Sequence, residues 1–406
     1  MNIFFYFNNK MDSINKNKEL NKNRSDIKLE NIKNNNILKT IFFYLQKKII
    51  LPIIYYNKKI KQRINININD YKVYSEKYSS IKIEIIPFKN TLDRFLNIKE
   101  KDEKYYHIYF NDNQEEIVKT DYIDKKITKI NISIDYQVKS FALLFAQCEW
   151  IKKIIFKRFI RNNIVTMYKM FYGCPSLQEI DLSKFNTENV ASMNYMFCGC
   201  QSLKEINLSN FNTINVVNMS SMFSHCSSLE KINLSSFKTD NVINMNNMFS
   251  LCSALKEIDL SNFNNNNNLT DMNNMFYYCS SLKKINFSNF NTNNVTNMSC
   301  MFYGCSALKE LNLSDFDTKI VTNMSYMFNQ CSSLEKINLS NFNTHNVIYM
   351  NAMFYGCSSL KDINISSFNT NNIINMMGMF FKCPNRLKKT IRKKYKTIQE
   401  EAFADY

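Results

Sequence analysis

The sequence predicts a solenoid, a chain wound into stacked and nearly identical rungs, and three observations carry that expectation. Cysteine returns at Cys148, Cys174, Cys200, Cys226, Cys252, Cys279, Cys305, Cys331, Cys357 and Cys383, a period of 26 residues with one step of 27. An apolar pattern Leu-x-x-Ile-x-Leu follows each cysteine at a fixed distance, and Met-x-x-Met-Phe precedes the next one. Self-similarity at a fixed spacing of this size marks units that bury their apolar faces only against one another.

One complete unit runs from Cys200 through Leu203, Ile206, Leu208, Phe211, Thr213, Val216, Met219, Met222 and Phe223 to Cys226. Leu-x-x-Ile-x-Leu is a leucine-rich-repeat strand signature. It recurs from Leu177/Ile180/Leu182 to Leu360/Ile363/Ile365, and a degenerate first copy at Ile151/Ile154/Phe156 brings the expected strands to nine. Alternation turns Ile206 and Leu208 inward and leaves Glu205, Asn207 and Ser209 on the outer face. Nine parallel strands at ~4.8 Å give a sheet roughly 40 Å long.

After each strand, Phe211 and its equivalents are expected to stack inside as the rung turns. Val216, Met219, Met222 and Phe223 fall on one side at a helical spacing. The expected return is therefore an extended piece followed by about two helical turns. Either Thr213 or the Ser/Asn before x-Met-Phe (Asn194, Ser220, Asn246, Asn273, Ser299, Ser325, Asn351) would serve as its cap. A rung buries about eight apolar side chains at about 1.5–3 kcal/mol each. Ordering its backbone costs roughly 1–2 kcal/mol per residue, so a rung cannot stand alone and the stack needs caps.

The fold class is thus a right-handed leucine-rich-repeat solenoid of about nine 26-residue rungs, with a parallel β-sheet on one face and short helices or extended segments on the other. At the C-terminal end, over 384–406, Leu387, Ile391, Tyr395, Ile398 and Phe403 fall on one face of a basic capping helix. At the other end, Val138, Phe141, Leu144 and Phe145 hold the register of a half-rung, so the solenoid spans 127–383. Alternating runs at Ile81–Ile86, Tyr105–Phe110 and Ile127–Ile134 suggest that 37–126 is a small α/β or mostly β domain. Residues 1–36, rich in Asn and Lys, read as a basic disordered segment. An extra asparagine within Asn264–Asn268 accounts for the 27-residue step and is expected to bulge.

Charge separates the regions. The chain carries a formal net charge of +17. Residues 1–160 hold 31 basic and 18 acidic side chains, 161–385 hold 14 of each, and 386–406 hold 7 and 3. The array is neutral, so no specific nucleic-acid partner is expected and any polyelectrolyte meets the ends. The N-terminal lysines read as a solvated tail that touches anionic surfaces weakly.

The regular cysteines lack the irregular spacing of a disulfide framework. They read as buried thiols; adjacent ones lie near bridging distance, but parallel side-chain directions disfavour oxidation. No secretory signal is expected at Met1–Lys10. Ile37–Tyr56 is interrupted by Lys39, Lys47, Lys48 and Pro52, so an interfacial or packed helix is expected and no transmembrane helix.

No cofactor is expected, and no metal or catalytic site. His107, His225 and His345 are unpaired at ligand spacing, and His225-Cys226 offers adjacency without a demonstrated base–nucleophile geometry. Five glycines form no phosphate-binding loop. The candidate binding surface is the outer strand face: Glu179, Asp181, Lys204, Glu205, Asn207, Lys231, Asn233, Glu257, Asp259, Lys283, Lys284, Asn286, Glu310, Asn312, Lys336 and Asn338. Its Asn and Ser rows are nearly monotonous, so the plain reading is side-chain ladders that solvate a sheet. The functional reading is a periodic surface for a repetitive ligand or a protein partner.

With its unit spelled Ser-Leu-Lys-x-Ile-Asn-Leu-Ser-x-Phe-Asn-Thr-x-Asn-Val-x-Asn-Met-Ser-x-Met-Phe-x-Gly-Cys, the chain resembles the BspA-type leucine-rich-repeat family. Specifically, it is similar to the 26-residue-repeat (DUF285-like) branch found in bacterial surface proteins and lipoproteins and in some microbial eukaryotes. The likeness spans about Val138 to Cys383. It implies a ligand-binding or adhesive solenoid without catalytic chemistry.

The expected function is a non-catalytic protein–protein interaction scaffold, the alternative a cell-surface adhesin. Free thiols and sequons on the strands, such as Asn207-Leu-Ser, disfavour a eukaryotic secretory route. A cytoplasmic location is therefore slightly favoured over the cell surface.

Overall fold

The computed structural model describes residues 32–44, 58–64, 79–88, 95–111, 113–117, 126–263 and 268–404. Residues 1–31 of the segment expected to be disordered (1–36), the second part of the Ile37–Tyr56 helix and the asparagine bulge at 264–267 lie outside the described residues, while the end of that first segment differs from expectation in that a helix begins at Asn35. The chain divides into two compact units, Met1–Glu76 and Lys77–Tyr406. In the first, α1 (Asn35–Tyr44) and α2 (Lys58–Ile64) are described. The Asn34 Oδ1 atom accepts the N–H groups of Asn36 (2.9 Å) and Ile37 (3.2 Å), capping donors that the helix itself leaves unused. No helix among the described residues is long and apolar enough to cross a membrane.

The second unit begins with an antiparallel sheet. Strands β1 (Ile81–Pro87), β2 (Tyr106–Phe110), β3 (Ile130–Ile134) and β4 (Ile151–Arg158) lie in the order β2-β3-β1-β4. Alternation buries Ile81, Ile83 and Ile85 against Ile130, Ile132 and Ile134. Strand β4 is the seam: one edge pairs antiparallel with β1, the other parallel with β5 (Glu179–Asp181), the first regular rung.

Six later rungs each give a strand of three residues: β6 (Glu205–Asn207), β7 (Lys231–Asn233), β8 (Glu257–Asp259), β9 (Lys284–Asn286), β10 (Lys336–Asn338) and β11 (Asp362–Asn364). They pair β6–β7, β8–β9 and β10–β11, while 310–312 form no strand. The nine-strand sheet expected from the sequence is therefore broken into pairs.

The return side departs from the expected helix. Among the described residues, 159–383 contain no α-helix. Alternate amides donate to the next rung instead: Met219 N to Asn244 O (3.1 Å), Ser221 N to Asn246 O (2.9 Å), Phe223 N to Met248 O (2.9 Å) and His225 N to Ser250 O (2.7 Å). The amides between them close three-residue turns, as in Met222 N to Met219 O (3.3 Å) and Cys226 N to Phe223 O (3.2 Å). Ser221 and His225 sit at φ 54° and 59°, and their equivalents recur through the array. A left-handed residue reverses the local twist, so no helix propagates through it. Parallel bridges run without a gap from Ser140 to Asn375 on this side.

Caps also differ from expectation. The Ser/Asn before x-Met-Phe receives a cap rather than providing one: Asn218 Oδ1 accepts Ser220 N (2.9 Å), Asn244 Oδ1 accepts Asn246 N (2.8 Å) and Asn323 Oδ1 accepts Ser325 N (2.9 Å). Thr213 staples rungs together, its hydroxyl donating to Lys238 O and accepting Lys238 N, both at 2.7 Å. A corner row of asparagines does the same through side-chain amides, as Asn215 to Glu188 O (2.8 Å) and Asn241 to Ile214 O (2.7 Å).

The centre is dry. Phe145, Phe171, Phe197, Phe223, Phe249, Phe276, Phe302, Phe328, Phe354, Phe380 and Phe403 form one stack with centroids 5.3–5.8 Å apart. A second stack, Phe185–Phe211–Phe237–Phe263–Phe290–Phe316, follows the strand corner as the sequence predicts.

The period-26 cysteine has a specific task. From Cys174 to Cys383 each Sγ donates to the carbonyl of the phenylalanine in the preceding rung, at 2.9–3.3 Å. A thiol is small and apolar enough for the core, yet adds a second donor to a buried carbonyl that already accepts one amide, as Phe223 O accepts Cys226 N. All the described cysteines are free thiols.

The C-terminal cap is a helix, α3 (Asn385–Lys394), followed by a separate 3₁₀ turn at Glu400–Phe403. The single expected helix therefore stops early. Leu387 and Ile391 are buried in α3, while the turn imitates a further rung: Gly378 N donates to Glu401 O (2.9 Å) and Phe380 N to Ala402 O (2.7 Å). Arg392 holds it, bonding Glu400 at 2.9 Å and lying 4.0 Å over the Phe403 ring.

Candidate functional site

The outer strand face carries three side-chain positions per rung. The third, the Asp/Asn row, is engaged within its own rung. Asp181, Asn207, Asn233, Asp259, Asn286, Asn312 and Asn338 each use Oδ1 to accept the N–H of the serine two residues on, at 2.9–3.1 Å. This is the local turn that short Asx side chains favour. The row thus ends strands, and it also bonds along the stack where Asn286 Nδ2 donates to Asp259 Oδ1 (3.0 Å). Hydrogen bonds from the Ser183 and Ser261 backbones hold the Asp181 and Asp259 carboxyls below the usual carboxylate range.

The first two positions carry charge that pairs along the stack. Glu179 meets Lys153 at 2.5 Å, Glu230 meets Lys256 at 3.0 Å and Glu335 meets Lys361 at 2.8 Å. In each pair the lysine hydrogen bond is the main cause that lowers the glutamate. These groups are solvent-facing, so the pairs set pattern more than stability.

Over the first rungs the face forms a groove lined from Lys153 to Asn286. Of the sequence candidates it gathers Glu179, Asp181, Lys204, Glu205, Asn207, Lys231, Asn233, Glu257, Asp259, Lys284 and Asn286, while the isoleucines between them, such as Ile206 and Ile258, turn into the core. Lys283, Glu310, Asn312, Lys336 and Asn338 do not line it. The groove ends before the rung whose strand at 310–312 is missing.

A model of the family described as "Mycoplasma protein of unknown function, DUF285" matches residues 116–207, 139–263, 205–286 and 270–394, more than two thirds of the chain. The chain belongs to the DUF285 family. The resemblance to BspA-type leucine-rich repeats holds, and this DUF285 chain is a leucine-rich-repeat solenoid. Among solved structures it is similar to a leucine-rich cell surface protein from Faecalibacterium prausnitzii A2-165. Identity there is 20%, coverage 54% of this chain and 61% of that one, and the TM-score 0.29. It is similar also to the TLR13–ssRNA13 complex, at 13% identity, 59% and 35% coverage and a TM-score of 0.27. The chain spans less than two thirds of the length of either. No curated protein matches.

Other sequence candidates resolve as packing. His225 Nδ1 lies 2.9 Å from Ser224 Oγ, while Cys226 Sγ turns into the core to donate to Phe197 O (3.1 Å), so the neighbours are not brought together. Burial pushes the Cys226 thiol well up. Among the described residues no group of three or more His, Cys, Asp or Glu side chains is placed to hold a metal ion.

Sequence reasoning passed over the turn side, where outward positions vary from rung to rung. Lys169 Nζ lies 4.9–5.2 Å from the rings of Tyr168, Tyr172 and Tyr195. Tyr277, Tyr278 and Tyr303 cluster three rungs beyond Tyr195, with centroids 4.8–5.2 Å apart. Aligning the rungs and scanning for variable columns finds both clusters.

Proposed function

We propose that this DUF285 solenoid is a non-catalytic interaction scaffold that takes an extended protein segment in the strand-face groove between Lys153 and Asn286. The observation that supports this is the groove's composition: Lys and Glu side chains of both signs on successive rungs, over a sheet whose isoleucines face the core. Charged positions of both signs at strand spacing set the register of an extended partner laid along the face.

The test compares capture of partners from native cells by two charge-reversed chains. Glu205→Lys with Lys231→Glu and Lys284→Glu alters the groove; Lys309→Glu with Lys336→Glu alters the same face outside it. The expected result is loss of one specific partner with the first chain only. Equal capture by both chains overturns the groove assignment. Protease treatment of intact native cells decides the setting: a protected protein is a scaffold inside the cell, and a cleaved one is an adhesin.

A further inference from the structure

Among the described residues Arg161 is the one charged side chain that is buried, with 1% of its surface exposed. It stands on the first rung, in the column that Thr187 and Thr213 hold on the next two. Those threonines bond forward, as Thr187 Oγ1 donates to Asn212 O (2.9 Å). Arg161 instead reaches back to the N-terminal sheet, its Nη1 donating to Asp135 O (2.5 Å) just after β3. Its Nε and Nη2 atoms, also buried, have no hydrogen-bond partner. These two atoms form the guanidinium edge that holds a carboxylate by parallel bonds, as Arg392 holds Glu400 at 3.0 and 2.9 Å. A buried cation with that edge unused is costly, and burial pulls Arg161 down to about 10.

The residue that supplies this carbonyl also carries a carboxylate, which is engaged elsewhere. Asp135 Oδ2 lies 3.3 Å from His107 Nε2 on β2, and Glu116 Oε1 lies 2.9 Å from Nδ1 of the same ring. Ionised carboxylates only accept, so the two bonds together need the doubly protonated imidazolium. When the ring loses a proton, one nitrogen becomes an acceptor and faces a carboxylate oxygen with no hydrogen between them. Glu116 has the shorter bond and keeps the remaining proton, which releases Asp135. Side-chain rotation alone then carries its charge to Arg161, because its own carbonyl is already there. Besides Asp135, the titratable groups that act on Arg161 are Tyr106 on β2 and Tyr136. Burial and then Asp102 push the Tyr106 phenol up, so it stays neutral. On His107 the acting charges are Glu116 and Asp135.

We propose that Asp135 is a two-position latch between the N-terminal sheet and the first rung, held outward by protonated His107 and turned onto the Nε and Nη2 edge of Arg161 when that ring becomes neutral. The His107 bond is present below about pH 6.5 and is lost as pH rises through the folded value, where burial, which lowers it, is outweighed by the bonds to Glu116 and Asp135. Over the same window the Arg161 bond takes its place. The protein thus exchanges a bond inside the sheet for one across the seam, while the threonine staples between later rungs involve no titrating group.

Nitrogen NMR of the full chain reads the pairing directly, since an Nε–H that gains a carboxylate shifts and exchanges more slowly; the Arg161 signal is the one lost in Arg161→Lys. In the wild type that signal is expected to move with the midpoint of the His107 ring, and its exchange, corrected for intrinsic rate, to slow about tenfold on the high-pH side. Asp135→Asn keeps the carbonyl on Nη1 and is expected to abolish the movement. His107→Val, which suits a strand and holds no proton, is expected to fix the signal at its high-pH position throughout. A wild-type signal that does not move overturns the proposal whether or not the variants fold. Movement that survives in Asp135→Asn, which the ring's charge alone would cause, overturns it too, as does a His107→Val signal at the low-pH position.

Discussion

The two sides of each rung are built to different standards. On the strand side, three-residue strands pair two by two and lapse altogether at 310–312. On the turn side, parallel bridges run unbroken from Ser140 to Asn375 and the C-terminal Glu400–Phe403 turn extends the same bonding. The side that names the repeat by its leucines is therefore the looser one. The turn side, with the phenylalanine stack and thiol donors behind it, is the spine, which leaves the strand side free to vary its charges.

The sharpest way to break this contrast is to damage both sides and compare. Phe249→Ala removes a ring from the middle of the stack and is expected to cost about 3–5 kcal/mol, read as a lowered thermal midpoint. Glu230→Ala, which removes the solvent-facing Lys256 pair on the strand face, is expected to leave the thermal midpoint essentially unchanged. Similar effects from the two changes sink the comparison.

Next in size is Gly304→Ala. Its Cβ would sit 2.7 Å from the Tyr278 ring at a backbone φ of +70°, and a loss of about 1–3 kcal/mol is expected by denaturant titration. Asn241→Ala removes one corner amide bond to Ile214 O and is expected to cost about 1 kcal/mol. A neutral result there means that the corner row does not join rungs.

Thiol labelling sharpens the spine from another direction. Cys300 is half-buried, and burial pushes its thiol up to about 11; Cys252 is fully buried, and burial pushes its thiol well above the ordinary range. Alkylation at pH 8 is expected to mark Cys300 first and Cys252 only on unfolding. Mass spectrometry that finds Cys252 labelled in the folded protein contradicts a closed core.

The smallest effect concerns His107 on β2. Burial acts to lower its pKa, but hydrogen bonds to Glu116 (2.9 Å) and Asp135 (3.3 Å) outweigh it and raise the value above 6.5. The protonated ring gains in the fold, so its contribution is fully present below about pH 6.5. It is lost as pH rises through the folded value. Slower amide exchange at β2 under mildly acid conditions, after correction for intrinsic rates, is expected; equal protection across pH 5 to 8 contradicts it.

Much of the coil was legible because its apolar rows are simple. Cys226, Phe223 and Phe211 recur by type and position, and each is buried where its spacing placed it. The helix expected through Met219 and Met222 was misread for a physical reason. Residues three apart share a side in a helix, and they do so equally in a chain of three-residue turns. The left-handed positions that separate the two cases are held by Ser221, His225, Asn247 and Leu251 as well as by glycine, so no glycine pattern announces them. At the candidate site, the Asn207 row resembled a solvating ladder because its letters repeat, but its bond runs to Ser209 within the rung. The groove's end near Asn286 was not legible, since Glu310 and Asn312 carry the same residue types as the rungs inside it.

The thiol of one rung bonds the phenylalanine carbonyl of the rung before it, and the amide, threonine and asparagine bonds likewise join nearest rungs only. Nothing in such a unit refers to its ordinal place. Deleting residues 227–252 would therefore join Cys226 to Ser253 across matching surfaces and leave a shorter protein of the same kind. Length, in this architecture, is a quantity that gene duplication and loss can adjust in whole steps while every remaining contact is inherited intact.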